Sequence, residues 1–203
     1  MNDDRDLDEL ETRERRFVLS TFDGWRQYAE ADQRPRPRQR TVEEIEHLAP
    51  DLRRAYNEAR FVWHANIGPI ATSPLVAVNQ TLTEILAVNA HDGDKVRPSP
   101  VLDAHPGIGK TTLAISFGAA EHRAEIDRHG ALTAAGHRRI PVVYAPLEAH
   151  TTPRKLNTML LRFYNHPGQK RGTTQDLADR VSECILNCET RLIIFDDVHF
   201  LNM

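Results

Sequence analysis

The chain has 203 residues, 40% hydrophobic and 27% charged, with a formal net charge of −3. Such a length suits one domain with appendages, and such a composition suits a globular protein with enough apolar material for a core. No run of about 18 apolar residues occurs, and Met1-Asn-Asp-Asp-Arg5 leads into no apolar stretch, which argues against a membrane helix or secretory leader and for the cytoplasm. The charge balance lacks the basic excess that marks many nucleic-acid binders.

Residues 1–40 read as a charged N-terminal helical arm and linker. Phe17, Val18, Leu19, Phe22 and Trp25 gather in its middle, which fits a short amphipathic helix. Arg34-Pro-Arg-Pro-Arg-Gln-Arg40 follows, where alternating prolines forbid a helix and favour an extended, solvated linker. Its arginines suit either a charged tether or contact with nucleic-acid phosphates.

Residues 41–98 read as a helical lead-in. Thr41 with Glu44 forms a capping-box signature for a helix to about His47, and Pro50 starts another running to about Trp63. Residues 74–90 read as a buried amphipathic helix, stopped by His91-Asp-Gly-Asp94.

From residue 99 to 203 the pattern alternates between strand and helix. Pro100–Ala104 is expected as a strand, and Gly109 to about His129 as a helix. Ile140–Ala145 is a second strand, Pro153 to about Tyr164 a helix, and Thr174–Cys188 another. Leu192–Phe195 is a third strand, apolar throughout and so expected to be buried on both faces. Such alternation predicts an α/β domain with a parallel sheet and flanking helices. Cys184 and Cys188 share a helix face, and reduced thiols are the simplest reading of them.

Ala104-His-Pro-Gly-Ile-Gly-Lys-Thr-Thr112 has the form of a Walker A loop between a strand and a helix. In such a P-loop, led in by Pro106, which has no N–H of its own, the backbone amides of Gly107, Ile108 and Gly109 and of the following helical turn form an anion nest. Lys110 is expected to reach the outer phosphates of a nucleotide, Thr111 to ligate magnesium, and Thr112 to assist at the inner phosphates. Ala104 stands where the first glycine of the pattern belongs, tolerable if its φ stays negative.

Leu192-Ile-Ile-Phe-Asp-Asp-Val-His199 has the form of a Walker B strand. Asp196 is the expected magnesium acid, and Asp197 the catalytic group that polarises the attacking water. An aspartate is one methylene shorter than the glutamate usual at that place, so weak or absent hydrolysis is expected. The spacing, 196 − 110 = 86 residues, leaves room for two helix–strand units. His199 fits a helicase-type Asp-x-x-His end or a local cap, and Glu148 either faces the nucleotide cleft or sits in an idle loop.

Pro106-Gly-Ile-Gly-Lys-Thr111 resembles the AAA+ ATPase form of this loop. Over residues 50–203 the layout resembles the TniB/TnsC-type ATP-binding proteins of bacterial transposons. The helical lead-in, Ile140-Pro-Val-Val143, the Pro153-led helix and the Val198-His-Phe-Leu201 ending carry that likeness. It implies ATP and Mg2+ as cofactors, and DNA, a transposase and further copies of the chain as partners. It also implies a sheet in the order five-one-four-three-two. Strand four would then separate the loop strand from the Walker B strand, and Met203 leaves no room for it. An incomplete, truncated AAA+-like core is therefore expected, with turnover requiring the missing part, or else three strands closed into a non-standard sheet. Two other readings stand beside an ATP-binding transposition module. One is a DExH-like helicase fragment, and the other a non-catalytic interaction module that nucleotide stabilises.

Overall fold

The structure is a computed structural model that describes residues 15–90 and 97–198. Those residues fall into two compact units, one of residues 15–16 and 31–70, the other of residues 17–30 and 71 onward. His199, Phe200 and Leu201 lie outside the described residues, and with them the helicase-like histidine.

In the first unit, α2 (Val42–Glu46) starts at Thr41 with the expected reciprocal box. The Glu44 amide donates to Thr41 Oγ1 at 3.2 Å, and the Thr41 amide donates to Glu44 Oε2 at 2.7 Å. Pro50 opens α3 (Pro50–Ala65), where its missing N–H costs nothing. The Arg34–Arg40 segment has no helix or strand, but it is not a free tether. Pro37 is buried, Arg36 lies 5.3 Å over the Trp63 ring, Arg40 lies 5.6 Å over Tyr56, and the Tyr56 hydroxyl donates to the Arg38 carbonyl at 2.8 Å. Guanidinium–aromatic stacking therefore seats the segment on one face of α3.

The second unit holds α1 (Phe22–Ala29), α4 (Ser73–Asn89), α5 (Lys110–His129), β1 (Val142–Pro146), α6 (Pro153–Phe163), α7 (Thr174–Asn187) and β2 (Leu192–Asp196). The α4 helix forms where expected, yet among its described side chains only Leu82 is buried, and Val76 and Val88 are exposed. Its apolar residues surround the axis instead of forming one stripe, so no single face can bury them all.

β1 and β2 pair in parallel, with Val142 opposite Leu192 and Pro146 opposite Asp196. This is the adjacency that the resemblance implies for its second and third strands. Residues 100–104, expected as a strand, are irregular. A strand persists only through ladder bonds to a neighbour, and among the described residues the sheet has only β1 and β2. β2 also departs from expectation: it is half-buried, with Phe195 39% exposed, because only one of its edges is paired in that two-stranded sheet.

β1 is the buried strand, from Val142 to Ala145. Around it close Trp25, Ala29 and Phe22 of α1, Leu160, Leu161 and Phe163 of α6, and Leu177 and Val181 of α7. The α1 helix, though far from the sheet in sequence, is thus a core element. Arg123 of α5 donates to its last carbonyl, Ala29 O, at 2.6 Å. Where α1, α5 and β2 meet stands Gly118. A methyl there would lie 2.6 Å from Ile194 Cδ1 and 3.1 Å from Trp25 Cη2, so any larger residue would have to displace the end of the Ile194 side chain and press on the indole.

Candidate functional site

The site grows from the turn that feeds α5. Gly107 (φ +81°) and Gly109 (φ +90°) both adopt left-handed backbone, which reverses the chain within a few residues. Ala104 is not among the residues with positive φ, so its methyl is accommodated. Gly109 caps α5 without a side-chain hydrogen bond, and the first intrahelical bond runs from the Leu113 amide to the Gly109 carbonyl. The amides of Lys110, Thr111 and Thr112 therefore have no acceptor within the helix and lie at its positive end. Pro106, Ile108 and Thr112 are exposed around this turn.

Lys110 Nζ curls back over the loop, donating to the carbonyls of Ala104 at 2.6 Å and His105 at 3.0 Å. These are neutral acceptors, which a phosphate oxygen would replace with a stronger, charged one.

Asp196 ends β2 and meets the start of α5. Thr111 Oγ1 donates to Asp196 Oδ1 at 3.1 Å, across 85 positions of sequence. The Asp197 amide donates to the same oxygen at 3.1 Å. Asp197 takes a left-handed φ of +57°, a conformation that aspartate tolerates better than most residues, and its exposed side chain leaves the strand direction there.

The second oxygen of Asp196 is held by a residue that the sequence reading passed over. Tyr144 OH donates to Asp196 Oδ2 at 2.8 Å. Tyr144 stands opposite Ile194 in the ladder, so it shares a face with Ile194 and, two residues on, with Asp196. Burial, and then the bond to Asp196 and its charge, push the phenol above its ordinary range, so it remains a donor. The signal was a lone phenol in an aliphatic strand, whose polar tip must find a partner when buried.

Glu148 lies elsewhere in its bonding. Its Oε2 accepts from Lys155 Nζ at 2.8 Å, and that ammonium holds the carboxyl below its usual range. Burial raises the Cys184 thiol to about 11, with the neighbouring Cys188 adding to it, and burial also raises Cys188. Among the described residues no three His, Cys, Asp or Glu side chains gather as a metal cluster, and no helix is long and apolar enough to cross a membrane.

A glycine turn that opens a helix, a lysine folded over it, and an acid from a parallel strand against the helical threonine define the P-loop class of α/β protein. The model of one family, described as AAA domain, matches residues 94–203, more than half of the chain. The chain belongs to that family, whose domain is a nucleotide-binding ATPase-type module. No curated protein and no solved structure matches it.

Proposed function

We propose that this chain binds ATP together with Mg2+ at the loop of residues 106–112. The observation that carries the reading is the contact of Thr111 Oγ1 with Asp196 Oδ1, 3.1 Å, beside a lysine-bearing loop. Two hard oxygen donors at that separation fit the chemistry a magnesium ion requires. A bound magnesium would neutralise charge on the phosphate oxygens.

In this reading the amides at the start of α5 cradle the phosphates, with Gly107 and Gly109 admitting close approach. Lys110 exchanges its two carbonyl acceptors for outer phosphate oxygens. Thr111 and Asp196 hold the metal, and Asp197 orients water for slow hydrolysis. Pro106 and Ile108 shape the loop, and Thr112 lies toward the inner phosphates.

The test is thermal unfolding with and without Mg-ATP, for the native chain and for Lys110→Ala. A ligand at a hundred times its Kd stabilises a fold by about 2.7 kcal/mol. An upward shift in the native chain that is lost in Lys110→Ala is expected. A cooperative transition indifferent to Mg-ATP refutes the reading.

The finer role, assembly on DNA in support of a transposase, rests on the resemblance of the loop, of Ile140-Pro-Val-Val143 and of the Walker B ending. It predicts DNA binding that weakens steeply with salt as counterions are released. DNA retention unchanged between 50 and 200 mM salt, or none at either, removes that role and leaves the nucleotide site standing.

A further inference from the structure

We infer that Tyr144 is the positioning residue of the magnesium acid, and that Trp25 makes helix α1 a working part of the same site. The inference rests on the nucleotide reading above and deepens it. Asp196 has two oxygens, and they have different partners. Oδ1 faces Thr111 and Oδ2 accepts the Tyr144 hydroxyl at 2.8 Å. A carboxylate on a strand end rotates about its Cα–Cβ and Cβ–Cγ bonds; the Asp197 amide restrains it at Oδ1, and the charge-assisted bond at Oδ2 fixes the other end, so the plane is set with Oδ1 toward the threonine. Second partners of this kind orient metal-binding carboxylates in general.

The phenol is itself held. Tyr144 is 7% exposed, and its ring stacks on Trp25, with centroids 6.0 Å apart and planes 14° from parallel. Trp25 is fully buried, and among the described residues its indole N–H has no hydrogen-bond partner, so packing holds it. Beside the indole stands Gly118 of α5, where even a methyl would lie 3.1 Å from Trp25 Cη2 and 2.6 Å from Ile194 Cδ1, so α1, α5 and β2 come close together there. The line Trp25–Tyr144–Asp196–Thr111 begins in a helix well before residue 94, where the family match starts, and ends at the first turn of α5. A nucleotide-dependent change in the setting of Asp196 must therefore reach the indole, and a change in the docking of α1 must reach the acid.

The chain contains two tryptophans, so Trp63→Phe leaves Trp25 as the sole indole. The experiment measures ATP affinity by calorimetry with Mg2+ and with EDTA, and Trp25 emission, in that background with and without Tyr144→Phe. The phenylalanine keeps the ring stack and removes the hydroxyl. A lost hydrogen bond to a charged group predicts that the Mg2+-dependent gain in affinity shrinks roughly tenfold. Trp25 emission is expected to shift on adding Mg-ATP, and to lose that shift in Tyr144→Phe. An unchanged Mg2+ gain in a folded Tyr144→Phe overturns the positioning role. Should that variant not fold, Mg-ATP binding seen by calorimetry without any Trp25 response overturns the inference on its own. Absence of ATP binding in EDTA and in Mg2+ alike, in the parent background, sinks the nucleotide reading instead, and the inference with it.

Discussion

Gly109→Ala isolates one cause. Gly109 caps α5 at φ +90° and ψ +21°, and a methyl built on it meets no atom within 4 Å. No clash arises, so the whole penalty is the left-handed backbone itself, about 1–2 kcal/mol for an L-residue. In a domain of this size each kcal/mol moves Tm by about 2–4 °C, so a fall of roughly 2–8 °C is expected if the turn holds its shape. If the turn relaxes to negative φ instead, the first amides of α5 are re-aimed and Mg-ATP affinity falls about 5- to 30-fold, the equivalent of the same energy. Gly109→Asn recovers part of either loss, because asparagine tolerates left-handed backbone. Calorimetric melting without nucleotide, followed by titration with Mg-ATP, reads both effects. A variant that melts within a degree of the native chain and binds with native affinity would refute a left-handed start to α5. So would alanine performing better than asparagine.

Cys184, raised to about 11, carries about a hundredfold less thiolate at pH 8 than an ordinary thiol. Iodoacetamide should therefore modify Cys184 of the folded chain, followed site by site by peptide mapping, at least tenfold more slowly than a cysteine peptide, and equal rates at that site would contradict the burial. His122 is fully buried, and burial lowers its imidazole pKa, against the opposing pull of Glu30. The unfolded chain thus takes its proton first, and stability falls as pH drops below about 6.5 toward the folded value, levelling off beneath it. Urea unfolding at pH 7.5 and 5.5 should show a smaller pH dependence in His122→Asn, and an identical one would be fatal to the argument. Glu125, 4% exposed, accepts from Arg128 at 2.8 Å and closely from Arg191. Both guanidiniums reach water, so Glu125→Gln should cost about 1–3 kcal/mol, below the full range for a broken buried pair, with a matching drop in Tm.

Elements with a local cause could be read from the residues alone. Thr41 and Glu44 bracket α2, Pro50 and Pro153 open α3 and α6, and Gly130 follows α5 as its C-cap. The two motifs could be read as well, since a glycine turn before an apolar helix and an acidic pair after an apolar strand are local patterns. What escaped was set at long range. Residues 100–104 have a strand's composition but no described partner, and apolar composition cannot supply one. α4 has the apolar content of a buried helix without the stripe that would bury it. The arginines at 36 and 40 looked solvated because the rings that receive them stand 27 and 16 positions away, on Trp63 and Tyr56. Tyr144 looked like one more core residue because its partner depends on the register between β1 and β2.

That register has a kinetic side. Paired residues of β1 and β2 stand 50 positions apart, with α6 and α7 between them, and Thr111 meets Asp196 across 85. The sheet is therefore a high-contact-order element, whose loop-closure entropy must be met before any ladder bond forms. Helices α5, α6 and α7 can form on local signals alone, but the acid, the phenol and the threonine come together only when the crossover has closed. A short peptide spanning the glycine loop holds none of this arrangement. Slow refolding should accordingly be accompanied, step for step, by the late appearance of a competent site, because the contacts that complete the fold and those that hold Asp196 are the same contacts.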